Sequence, residues 1–251
     1  MQSPLKSLLC LTALLLVCQC APSTPIRRGN FQSGFNIHLP TAPVGQGVAA
    51  PTTTTHWQAV NLIRDYVPSG THGRRVYRPM TPRYITVHST QNFSAQADAN
   101  QHALALQRGA LRAPKRKGGN RIGYLIWHYT VDEAVVVQHM PTSEQGEHAD
   151  FDGLGNRYSI GIEMCENRGN DRSATIERTA LLCALLMREH NIPLRNIVPH
   201  YHWPRRGLSD PHKNCPHFLL DDGKPGRKWK WFLSRVNDYY QRTQPPSPPE
   251  S

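Results

Sequence analysis

The chain has 251 residues, which suits one domain of ordinary size with appendages. Apolar residues make up 38% and charged residues 19%, so a chain unable to bury a core is excluded. A formal net charge of +11 favours acidic partners such as nucleic acid, anionic lipid or an anionic wall polymer, against the plainer alternative of a generally basic surface.

The chain opens with MQSPLK, one positive charge, followed by the short apolar run SLLCLTALLLVC. This is the layout of a secretory signal peptide over residues 1–20, and the run is too short to span a bilayer comfortably. No A-x-A precedes a plausible cut; Cys20, followed by APSTP, instead resembles the first residue of a bacterial lipoprotein, although Gln19 fits that pattern badly. The expectation is export to the cell envelope, with a lipid anchor at Cys20 and plain secretion both open. Residues 21–55, rich in Pro, Thr, Gly and Ala, read as a tether, and 244–251, QPPSPPES, as an unstructured tail. One domain, 56–243, lies between them.

Inside it, HWQAVNLIRDYV reads as a short helix. YITVHST alternates as a strand, with Ile85 and Val87 on one face and Tyr84, Thr86 and His88 on the other. FSAQADANQHALALQRG is helical, and LIWHYTVDEAVVVQHMP gives two strands around a turn at Asp132–Glu133. RYSIGIEMCEN is a further strand. Residues 175–190 form a helix with an apolar stripe of Leu181, Leu182, Leu185 and Leu186, stopped by NIP, and KWKWFLSRVNDYYQ is the last helix. Strands alternating with helices predict an α/β fold, a mixed central sheet flanked by helices.

Three polar residues sit where strands should end: His88 in YITVH, Glu163 in SIGIE and His200 after NIVP. Strand ends are where such folds place chemistry. The cysteines outside the export segment are Cys165, Cys183 and Cys215, an odd number, so at least one is unpaired within the chain. Cys165 and Cys183 can be two buried thiols or a disulfide. His88, His200 and Cys215 are suitable Zn²⁺ ligands that leave a fourth position for water; their bland alternatives are solvated or core imidazoles and a buried thiol.

The segments TPRYITVHST, WHYTVD, QHMP, SIGIEMCEN, VPHYHW and KNCPHFL, in this order over about residues 77–236, resemble the type 2 zinc-dependent N-acetylmuramoyl-L-alanine amidases, relatives of T7-type phage lysozyme and the peptidoglycan recognition proteins. The resemblance implies a Zn²⁺ cleft that hydrolyses the amide between N-acetylmuramic acid and L-alanine, with peptidoglycan or muropeptides as partner. It makes His88, His200 and Cys215 the metal ligands, Glu163 the acid/base and Lys213 the stabiliser of the oxyanion. It also makes His148 substrate-facing, with Glu147 where the family usually has Trp, and places Trp127 and His128 of WHYTVD beside the substrate. The stretch PRRGLSD is longer than in close relatives and brings in Asp210, which competes with Cys215 as third ligand. Asp210 lacks a lysine two residues before it, and its plainer role is a turn residue ahead of Pro211.

Three other readings compete. One is a non-catalytic module of the same fold; the loss of a ligand or base would mark it, and none is lost. Another is a Cys–His hydrolase with Cys215 as nucleophile, disfavoured by the proline after it. The third is a nucleic-acid binder using KRK at 115–117, disfavoured because no aromatics interleave with the basic residues. No nucleic acid, a monomer, and membrane contact only through a lipid at Cys20 are the remaining expectations.

Overall fold

The computed structural model describes residues 53–113 and 122–244. The expected signal peptide, nearly all of the tether, the KRK run and the tail beyond Gln244 lie outside them. Among the described residues six strands form one sheet: β1 (Leu62–Arg64), β2 (Tyr84–Ser89), β3 (Tyr129–Val131), β4 (Val136–Gln138), β5 (Ser159–Met164) and β6 (Ile197–Pro199). Their order is β1-β4-β3-β5-β2-β6. Strands β3, β5, β2 and β6 run parallel, and β4 pairs antiparallel with β3, so the expected mixed sheet is observed.

The helices are α1 (Thr53–Ala59), α2 (Ala99–Gln107), α3 (Leu154–Tyr158), α4 (Arg172–His190) and α5 (Arg227–Arg242). HWQAVNLIRDYV, read as one helix, instead ends its helix at Ala59 and continues as β1. Asn61 sits between them at φ 55°, a left-handed conformation that stops a helix. Its side-chain amide donates to Ala134 O at 3.0 Å, and β1 then pairs parallel with β4. The turn between β3 and β4 is fixed by Asp132, whose Oδ1 accepts from Ala134 N and Val135 N, both at 2.8 Å. Its Oδ2 accepts from Ala99 N, the start of α2.

The main core lies on one sheet face. Ile85, Val87, Ile160, Ile162 and Val136 meet α4, which is buried almost throughout, and α5. Asp171 caps α4 by accepting from Ala174 N at 3.1 Å, and Asn191 ends it in the left-handed conformation at φ 53°. Helix α5 buries Trp229, Phe232, Val236 and Tyr239, a three-four-three spacing that makes one apolar stripe. Burial of Phe232 and Val236 stabilises the packing by about 1.5–3 kcal/mol each. On the other face α2 covers Val137 and Cys165 through Ala99 and Ala103. Cys165, Cys183 and Cys215 are all free and buried, which settles the open pairing in favour of thiols.

Candidate metal centre

The carboxyl ends of three neighbouring parallel strands meet at one edge of the site-bearing face. Register does the first part of the assembly: His88 of β2 stands opposite Glu163 of β5, while Val87 pairs with Pro199 of β6, the residue before His200. Alternation does the second. Ile162 and Met164 point into the core, so Glu163 points away from it, and Thr86 and His88 share that face. Trp203 Nε1 donates to Thr86 Oγ1 at 2.8 Å and ties the segment after His200 to this face. Cys215 arrives from the loop before α5, its thiol receiving Ser89 N at 3.3 Å.

The ligand atoms of His88, His200 and Cys215 all lie within 4.8 Å of one another, and the three residues are buried. His88 Nδ1 is 2.8 Å from His200 Nδ1. His200 Nε2 donates to Ala149 O at 2.9 Å, so the proton of its neutral ring sits on Nε2 and Nδ1 offers a lone pair. Burial, and then the Lys213 cation, hold the His200 imidazole down to about 3; burial followed by His200 and His148 keeps His88 well below the usual imidazole range. Burial pushes the Cys215 thiol up to about 12, and Lys213 opposes this. Neutral imidazoles and a thiol, buried with their donor atoms converging, form a nitrogen–nitrogen–sulfur set that fits Zn²⁺.

Glu163 stands beside this set, Oε1 lying 3.9 Å from His88 Nδ1, with its side chain 15% exposed. Its Oε2 is buried and has no hydrogen-bond partner among the described residues. Burial pushes Glu163 up to about 8, Lys213 pulls it down, and Glu166 pushes it up. Glu163, His148, His200, Lys213 and Trp127 all line one cleft of about 300 Å³.

Other expected residues are placed differently. Asp210 is exposed and stands outside the cluster; its loop is closed on itself by Arg205, whose N donates to Pro211 O at 2.9 Å and whose guanidinium donates to Asp210 O at 3.1 Å. His128, expected beside the substrate, is fully buried and does not line the cleft. Its Nδ1 accepts from Gly161 N at 2.9 Å and its Nε2 donates to Glu144 O at 2.8 Å, so both ring atoms are committed to the scaffold. His148 lines the cleft, but its Nδ1 is 2.9 Å from His88 Nε2. The structure adds residues that the sequence reading passed over. Arg112 and Arg205 make the cleft walls cationic, and Phe151 borders it at φ 64°, an uncommon conformation for a bulky residue. Glu147, in the place of the family's usual Trp, is buried and paired with Arg78.

The N-acetylmuramoyl-L-alanine amidase profile matches residues 78–218, more than half of the chain. The chain is 43% identical to N-acetylmuramoyl-L-alanine amidase XlyA of Bacillus subtilis over 163 residues, 64% of this chain and 48% of that protein. It is 37% identical to N-acetylmuramoyl-L-alanine amidase CwlH of the same organism, over 71% of this chain and 62% of CwlH. It therefore spans about half to three fifths of the length of these relatives. The solved catalytic domain of XlyA is matched at a TM-score of 0.56 and 40% identity, covering 70% of this chain and 99% of that one. By the extent of the profile match, the chain belongs to the N-acetylmuramoyl-L-alanine amidase family.

Proposed function

We propose that this protein is a zinc-dependent hydrolase that cuts the amide between N-acetylmuramic acid and L-alanine in peptidoglycan or its fragments. The observation that carries the reading is the convergence of His88, His200 and Cys215 beside a carboxylate with one free oxygen, in a cleft large enough to admit a substrate segment. His88 and His200 would hold zinc through Nδ1 and Cys215 through its sulfur. When bound, zinc supplies Lewis acidity to a carbonyl and to water.

The protein's own groups account for the proton and the charge. Glu163 Oε2 takes a proton from the attacking water as the water oxygen bonds to the lactyl carbonyl carbon. It returns that proton to the alanine nitrogen as the C–N bond breaks, leaving a carboxylate on the muramic acid and a free L-alanine amine. Lys213, on the cleft wall, faces the negative charge that develops on the carbonyl oxygen. Trp127 supplies an apolar wall, and Arg112 and Arg205 suit the carboxylates of an anionic wall fragment.

Purified cell wall incubated with the protein should yield free L-alanine amino termini and no new reducing sugars. A chelator should abolish this and added zinc restore it. Reducing ends in place of amino termini would make the protein a glycan cutter, and binding without cleavage would make it a recognition module.

Cys20 and the Pro/Thr-rich stretch after it support export with anchoring at the membrane. Mass spectrometry of the mature N-terminus tests this; an unmodified soluble protein beginning after residue 20 would leave plain secretion.

A further inference from the structure

The wall of the cleft behind His88 carries a second layer of built geometry. His148 Nε2 lies 3.3 Å from Ser159 O, which can only accept, so the proton of a neutral His148 sits on Nε2 and its Nδ1 is an acceptor. That acceptor is 2.9 Å from His88 Nε2. His88 must therefore donate from Nε2, which leaves the Nδ1 lone pair aimed at the Nδ1 of His200, 2.8 Å away. Two lone pairs facing each other at that distance repel unless a cation lies between them.

We propose that His148 is a positioning residue that fixes the tautomer and ring orientation of His88 for metal binding, rather than a residue that meets the substrate. The proposal rests on the zinc reading above. The next residue plays the same part for the second ligand, since Ala149 O holds His200 Nε2. One side chain sets both: Asn156 Oδ1 accepts from His148 N at 2.9 Å and Ala149 N at 2.8 Å. The seat of the His148 ring is cut by two glycines. A Cβ at Gly161 would lie 2.8 Å from the ring, and one at Gly146 would lie 2.5 Å from its Cδ2. The glycine of SIGIE is thus required by His148, two residues before the carboxylate that does the chemistry. Partners of this kind typically change metal affinity by about 10–100-fold.

The test is zinc affinity of the full chain, measured by competition with a chromophoric chelator, with KM for soluble muropeptide read in parallel. His148→Leu should weaken zinc binding about 10–100-fold. His148→Asn, whose Oδ1 can accept in the place of Nδ1, should recover most of the affinity. Unchanged zinc affinity with a raised KM in His148→Leu would overturn the proposal and return His148 to the substrate. Failure of the unaltered protein to bind zinc would be a different result, since it would overturn the metal reading itself. A measurement without substitution guards against misfolding of the variants: in the zinc-loaded protein with ¹⁵N-labelled histidine, His148 should carry its proton on Nε2. A proton on Nδ1 contradicts the proposal.

Discussion

Two carboxylates on opposite sides of the same sheet, one buried and one on the cleft wall, have opposite surroundings. Glu177 of α4 is 1% exposed and fully engaged: Arg235 Nε donates to Oε1 at 3.0 Å, and both the Arg235 terminal nitrogen at 2.9 Å and Tyr239 OH at 2.9 Å donate to Oε2. Glu163 of β5 has one oxygen without a partner, and burial pushes it up to about 8. A buried carboxylate whose acceptors are all filled joins elements and has no capacity left for chemistry. A largely buried carboxylate oxygen left without a partner costs stability, and that cost is consistent with the proton transfer proposed for Glu163.

Substitutions can break this contrast. Glu163→Gln keeps the size and leaves His88, His200 and Cys215 untouched, so the proposed function predicts retained metal while turnover of muropeptide falls by about 10²–10⁴-fold. Comparable turnover in this variant would remove Glu163 from the reaction. Lys213→Met removes the cation from the cleft wall and, on the role proposed for it, should lower kcat by about 10²–10³-fold, the range for loss of one oxyanion donor. A rise in KM alone would show that Lys213 only binds substrate. Glu177→Ala should behave in the opposite way. It takes the Glu177 acceptor from Tyr239 and from Arg235, which keeps Asp238, at about 3 kcal/mol, the lower end of the range for broken buried pairs because Arg235 is 19% exposed. Thermal unfolding should come at a lower temperature while kcat of the folded fraction stays unchanged. A fall in kcat would mean that the α4–α5 side is coupled to the cleft.

How much of this was legible in the sequence depended on how local each cause is. Strand alternation already separated His88 from Ile85 and Val87, and the apolar stripes marked α4 and α5. The site residues at strand ends were visible because parallel strands gather their carboxyl ends at one edge. His128 was misplaced because nothing in WHYTVD distinguishes an imidazole held by two backbone groups from one that meets a ligand. Its partners, Glu144 O and Gly161 N, lie 16 and 33 residues away. Strand β1 was hidden inside a helical pattern, since its pairing with β4 is a tertiary contact and Asn61 was the one local signal of the break. Asn156, which holds the backbone of His148 and Ala149 at once, has no local sequence signal. Spacing alone left Asp210 and Cys215 both open as third ligand, and only the fold, which brings Cys215 to His88 and His200, separates them.

The chemistry proposed for this cleft depends on which side chains would hold the metal. Zinc content and affinity of the purified protein, measured beside Cys215→Ser and Asp210→Asn, test that most directly. About one zinc per chain is expected in the unaltered protein and in Asp210→Asn, with zinc binding strongly weakened in Cys215→Ser. Zinc lost from Asp210→Asn and kept in Cys215→Ser would contradict the assignment of the centre.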